Sequence, residues 1–143
     1  MEDIVIAALF FNAIESKDFH TLSQMLDPEF LYYGPTPDPF DKETWLDFQR
    51  AVQHAFPDWS YNISKLEKRE NCIEATVHIT GTHLKDLQLP IEGIKSILPT
   101  HKRIEMPTEH AWIKCRNGKI KELKVESQFH GSLPGLLQQL GVE

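Results

Sequence analysis

The chain has 143 residues, 41% of them hydrophobic and 25% charged, which is ordinary for one globular domain and unlike disordered, fibrous or membrane compositions. A formal net charge of −6, with no lysine or arginine cluster, offers little counterion release on a phosphate backbone, so no nucleic-acid partner is expected. Met1-Glu2-Asp3 is acidic and no apolar run reaches about 20 residues, so neither a signal peptide nor a membrane span is expected, and residues 1–143 are read as a single cytoplasmic domain.

From Asp3 to Ser16 the apolar residues Ile4, Ala7, Ala8, Phe11 and Ile14 recur at three- and four-residue spacing, which predicts a helix. A second short helix, about Phe19 to Leu26, ends at Asp27-Pro28. Phe30-Leu31-Tyr32-Tyr33 reads as a short strand, stopped by the loop from Gly34 to Pro39, whose prolines fix φ and remove donors. Asp41 is a good N-cap for a third helix carrying Trp45, Phe48 and Val52, and Pro57 marks its end.

Four strand candidates follow, Trp59 to Leu66, Cys72 to Leu84, Arg103 to Lys114 and Lys119 to Phe129, all rich in β-branched and aromatic residues. Asn117-Gly118 is the strongest hairpin signal in the chain. Between the second and third candidates, Lys85 to Leu98 carries six large aliphatic residues among few charges, so it either covers a cavity or packs in a dimer interface. Leu133 to Leu140 closes the chain as a short helix. Cys72 and Cys115 lack zinc or redox spacing and read as buried free thiols.

Helices followed by strands argue for an α+β fold. The expected architecture is a cone, a curved, mostly antiparallel sheet wrapped around three N-terminal helices, with an apolar interior suited to a small apolar ligand. Tyr32, Tyr33, Trp45, Trp59, Tyr61 and Trp112 supply aromatic surface with polar tips, and Tyr33 and Trp59 are the favoured ligand contacts.

Four stretches carry a family resemblance: Ala55-Phe56-Pro57-Asp58-Trp59, Gly81-Thr82-His83, Pro99-Thr100-His101-Lys102-Arg103-Ile104, and Gly118-Lys119-Ile120 through Leu136-Leu137-Gln138-Gln139-Leu140-Gly141. In this order they resemble the SnoaL-like polyketide cyclases, whose fold is the nuclear transport factor two-like cone. The resemblance implies cofactor-free intramolecular aldol chemistry with an aspartate on the last long strand as acid and base. The matching position here is Gln128, which cannot take a proton but can donate a hydrogen bond to an enolate oxygen.

Glu126 shares the strand face of Gln128 and is the expected replacement base, and His83 matches a family histidine at a strand end. His83 shares a face with Val77 and Ile79, which points it inward. His110 and Trp112 on the next strand are taken as further ligand contacts. His78 and His83 differ by an odd number of residues and face opposite sides, so no metal site is expected, and no cofactor.

Three functions fit: a cyclase or ketosteroid isomerase-like enzyme using His83, Glu126 and Gln128; a non-catalytic binding module that kept the pocket; and a dimerising accessory domain. A homodimer is compatible with all three.

Overall fold

The computed structural model describes residues 1–34, 36, 38–91, 93–126 and 132–141, without the side chains of 132–134. Helix α1 (Asp3–Glu15) buries Ile6, Phe10, Ala13 and Ile14 along one stripe. Helix α2 (Phe19–Met25) is capped by Asp18, whose carboxylate accepts from the Thr21 backbone. Asp41 caps α3 (Lys42–Ala55) in the same way, accepting from the Thr44 N–H at 2.9 Å. Among them, Trp45 stacks on Phe10 and meets Phe30 edge-on.

Strand β1 (Leu26–Tyr33) starts four residues earlier than expected and pairs with β2 (Phe40–Asp41) across the proline loop. The remaining strands are β3 (Lys65–Lys68), β4 (Ile73–Val77), β5 (Thr80–Thr82), β6 (Arg103–Glu105), β7 (Glu109–Arg116) and β8 (Lys119–Val125). They form a six-stranded sheet in the order β2-β1-β8-β7-β4-β3 and a two-stranded extension, β5-β6. All pairs are antiparallel except β1 with β8. Asn117 and Gly118, both with positive φ, make the tight β7–β8 turn, as a two-residue hairpin requires.

Two of the four expected strands are therefore interrupted, and at the same level. The β4–β7 ladder runs to Val77 opposite Glu109, and the β5–β6 ladder resumes at Thr80 opposite Glu105. Two residues, His78 and Ile79, face three, Met106, Pro107 and Thr108. One extra residue in a strand is a bulge, which bends the sheet and reverses the inward and outward faces beyond it. Before it Ile104 and Met106 are buried; after it Glu109, Ala111 and Ile113 are. A second register shift, opposite Lys114 and Cys115, does the same to β8, where burial passes from Ile120 to Leu123.

Helix α4 (Ser132–Gln139) lies against β6. The Gln139 amide acts as a short strand partner there, donating to the Glu105 carbonyl at 2.9 Å and accepting from the Glu105 N–H at 3.0 Å. The Lys85 to Leu98 segment folds back on itself through mutual Leu87 and Ile97 backbone bonds and buries Leu87 and Leu89 in the core. Cys72 and Cys115 are free but half-buried rather than fully buried, and partial burial pushes the Cys115 thiol up to about 11.

Asp58 joins the end of α3 to β5. Its carboxylate accepts from the Thr82 N–H at 2.7 Å and from the Thr82 hydroxyl at 2.8 Å. Partial burial opposes the charge, but these bonds outweigh it and hold the group below the usual carboxylate range. Asp58→Ala should lower unfolding free energy by about 1 kcal/mol in urea titrations. Thr82→Ala added on that background should cost little more, whereas fully additive losses would contradict a shared clamp.

Candidate functional site

The inner faces of the sheet and helices enclose a narrow apolar cavity of about 60 Å³, partly open to solvent. That is room for a few water-sized groups, so a bicyclic ligand enters only if side chains of the wall turn aside. Its walls are largely aromatic, from Tyr32, Trp45, Phe48, Trp59 and Tyr61, and Met106 and Leu136 of α4 complete them. No charged side chain is among the lining residues, so the cavity suits an uncharged occupant.

Its polar groups are few. The Gln49 amide and the Tyr61 hydroxyl lie within hydrogen-bond distance, and Gln49 is only 1% exposed. Burial pushes the Tyr61 phenol up to about 12, against the opposing effect of Gln49 and Trp59. Burial also raises the Tyr32 phenol well above its ordinary value, helped by neighbouring Tyr61 and Glu109. Both phenols therefore stay protonated near neutrality.

Glu109 is the one fully buried carboxylate among the described residues, at 0% exposure. The bulge before it turns it to the inner face, with Ala111 two residues along and Val77 as its cross-strand partner, both lining the cavity. Glu109 is itself not among the lining residues; it sits behind Val77 and Ala111, close enough to Tyr32 for its charge to act on that phenol.

His83 does point inward with Val77 and Ile79, and it is completely buried. It is not among the residues lining the cavity. Its ring stacks on Phe56 at 5.1 Å, and Nδ1 accepts from the Thr100 N–H at 3.2 Å. An accepting Nδ1 carries no proton, so the neutral ring keeps its hydrogen on Nε2. Desolvation holds the imidazole below its ordinary value, with a partial counter-effect from the Lys85 backbone. The geometry makes His83 a structural pin between Ala55–Trp59 and Pro99–Ile104.

The other expected site residues are dispersed. Glu126 lies on the outer face, where its carboxylate accepts from the His110 N–H at 2.9 Å and meets the His110 ring at 3.1 Å. His110 and Trp112 share that outer face, with Glu74 near both. Strand alternation after the bulge puts these three away from the cavity, correcting the expectation that they line it. Tyr33 is 37% exposed and its neighbour Tyr32 takes the inner position. Trp59 is in the wall as expected. Gln128 lies outside the described residues. No described residue of the Lys85 to Leu98 segment lines the cavity.

Sequence reading missed Glu109 and Gln49, and it named Tyr61 among six aromatic candidates without favouring it. Pro107 was the available signal, because a proline inside a strand marks a bulge or an edge. No group of three or more metal-ligating side chains occurs among the described residues.

A sequence model of the SnoaL-like polyketide cyclases matches residues 5–136. The chain belongs to this family. Solved structures agree in fold. The SnoaL-like chain superposes on IdmH from Streptomyces antibioticus, described as a candidate polyketide cyclase, with TM-score 0.71 and 24% identity over 99% of this chain and 100% of that one. AclR from Streptomyces galilaeus, described as a candidate hydroxylase, gives 0.73 and 17% over 96% and 93%. A SnoaL-like candidate cyclase from Jannaschia sp. CCS1 gives 0.76 and 10% over 99% and 92%. No curated protein matches by sequence. No helix among the described residues is long and apolar enough to cross a membrane.

Two outcomes follow for this SnoaL-like cavity and its pin. Above pH 7 the His83 ring is neutral in both folded and unfolded chains. As pH falls through about 6.5, the unfolded ring takes a proton that the folded one resists, so stability drops by up to about 1.4 kcal/mol per pH unit. His83→Asn, which keeps an acceptor for Thr100, should flatten the fall in urea midpoint between pH 7.5 and 5.5; an unchanged slope would contradict this. A Cβ at Gly34 would meet the Tyr32 hydroxyl at 2.3 Å. Gly34→Ala should therefore displace Tyr32 and cost about 1–3 kcal/mol, visible as a perturbed Tyr32 ring in NMR spectra.

Proposed function

We propose that the chain is a cofactor-free proton-transfer enzyme acting on a small, uncharged, mostly apolar carbonyl compound of polyketide or steroid type. The observation that carries this reading is Glu109, a fully buried carboxylate on the inner face of β7, just behind the cavity lining and near protonated Tyr32. Family membership supports the same reading.

The Glu109 carboxylate takes a proton from the carbon next to the ligand carbonyl. The C–H electrons become a carbon–carbon double bond and the carbonyl π electrons move onto oxygen, giving an enolate. Where the ligand carries a β,γ double bond, the resulting dienolate takes the Glu109 proton at its γ-carbon, which is isomerisation; otherwise the enolate carbon attacks a second carbonyl. In the second case a carbon–carbon bond forms and the new alkoxide takes the Glu109 proton, which is cyclisation. Either way Glu109 ends as it began, and no oxidant or cofactor is consumed.

The experiment uses 2-tetralone, a planar bicyclic ketone with acidic hydrogens beside its carbonyl. Wild-type protein in D₂O should accelerate their replacement by deuterium, followed by NMR, and Glu109→Gln should lose about 10²–10⁴-fold of that acceleration while still binding the ketone. Equal acceleration by Glu109→Gln would sink the assignment of the base. The same loss in Glu126→Gln with Glu109 intact would move the chemistry to the outer face.

A further inference from the structure

We propose that the Tyr61 hydroxyl is the hydrogen-bond donor that holds the ligand's carbonyl oxygen, and that the Gln49 amide decides whether its proton is available. The inference rests on the reading that the cavity takes a carbonyl compound, and it assigns the group opposite the base.

Both ends of one amide reach one hydroxyl. Gln49 Nε2 lies 3.0 Å from the Tyr61 oxygen, and Gln49 Oε1 lies 3.2 Å from it. A phenol has one proton, so the pair has two exclusive arrangements. In one, Tyr61 donates to Oε1 and offers nothing to a ligand. In the other, the Tyr61 proton turns toward the cavity while Nε2, already 3.0 Å from the phenol oxygen, goes on donating to it. Because Gln49 is almost wholly buried, water does not take the place of the amide as partner.

Trp59 tips the balance toward the second arrangement. Its indole N–H is buried and makes no well-formed hydrogen bond, and the ring stands edge-on to Tyr61 with centroids 6.2 Å apart. The indole already favours negative charge on the Tyr61 oxygen, as Gln49 does, against the larger effect of burial. An oxygen supported by Nε2–H and the indole is a better donor through its remaining O–H.

Such a donor strengthens its bond as the carbonyl oxygen gains charge, which is what proton abstraction requires. Tyr32 is less well placed for this role, because its hydroxyl lies over Gly34 at the cavity edge. Tyr61 is thus the group that touches the ligand, and Gln49 is a positioning residue.

The test reads the carbonyl stretch of bound 2-tetralone by isotope-edited infrared spectroscopy, with naphthalene as a ligand of similar shape and no oxygen. On wild-type protein the stretch should lie below its value in an alkane solvent. Tyr61→Phe should return it toward that value and weaken 2-tetralone about two- to tenfold, while naphthalene binding stays unchanged. Gln49→Met, which removes the competing acceptor and keeps the hydroxyl, should keep the lowered stretch.

Naphthalene binding accompanied by an unshifted carbonyl in the wild type, or the same shift in Tyr61→Phe, overturns the donor assignment alone. Failure of both ligands to bind overturns the cavity reading and this assignment with it.

Discussion

One extra residue decides where the chemistry of this protein can sit. Met106, Pro107 and Thr108 face only His78 and Ile79, so the strand that enters with Ile104 and Met106 inward continues with Glu109, Ala111 and Ile113 inward. Without the bulge, His110 and Trp112 would occupy the interior and Glu109 would meet solvent. The bend also separates β5 and β6 from the main sheet, opening the space that the helices fill only in part. Cavity and buried carboxylate thus share a single structural cause.

The same constraint explains how much was legible in the sequence. Helix periodicity, the Asp41 cap and the Asn117-Gly118 turn act over a few residues, so the α+β cone, its three N-terminal helices and its mostly antiparallel sheet could be read directly. Which face of a strand looks inward depends on counting by twos without interruption. Alternation carried on from Ile104 selects His110 and Trp112, and carried on from Ile120 it selects Glu126. One bulge defeats each count, at Pro107 and opposite Lys114 and Cys115. His83 survived because Ile73 to His83 keeps one parity throughout. Tyr33 and Tyr32 are adjacent on β1, so alternation puts only one of them inward, and it is Tyr32.

The stretches that revealed the family have a structural task. Phe56 stacks on His83, Asp58 clamps Thr82, and Thr100 binds the His83 ring, so three sequence motifs meet in one knot beside the cavity. Gly81 belongs to it too, since a Cβ there would lie 3.2 Å from Phe56. A knot of this kind fixes the fold and leaves the reaction open. Neighbours of the same fold are described variously as candidate cyclases and a candidate hydroxylase.

Buried polar groups are retained at a cost in stability, so a carboxylate and an amide–phenol pair against aromatic walls call for a task. Acid–base work on a carbonyl compound gives each of them one. The measurement that tests this most directly is a crystal structure with 2-tetralone bound. The account predicts the ketone between the aromatic walls, its acidic carbon facing the Glu109 carboxylate and its oxygen on the Tyr61 hydroxyl. A ketone lodged on the outer face by His110 and Glu126, or turned with its oxygen away from Tyr61 and its acidic carbon away from Glu109, would contradict it.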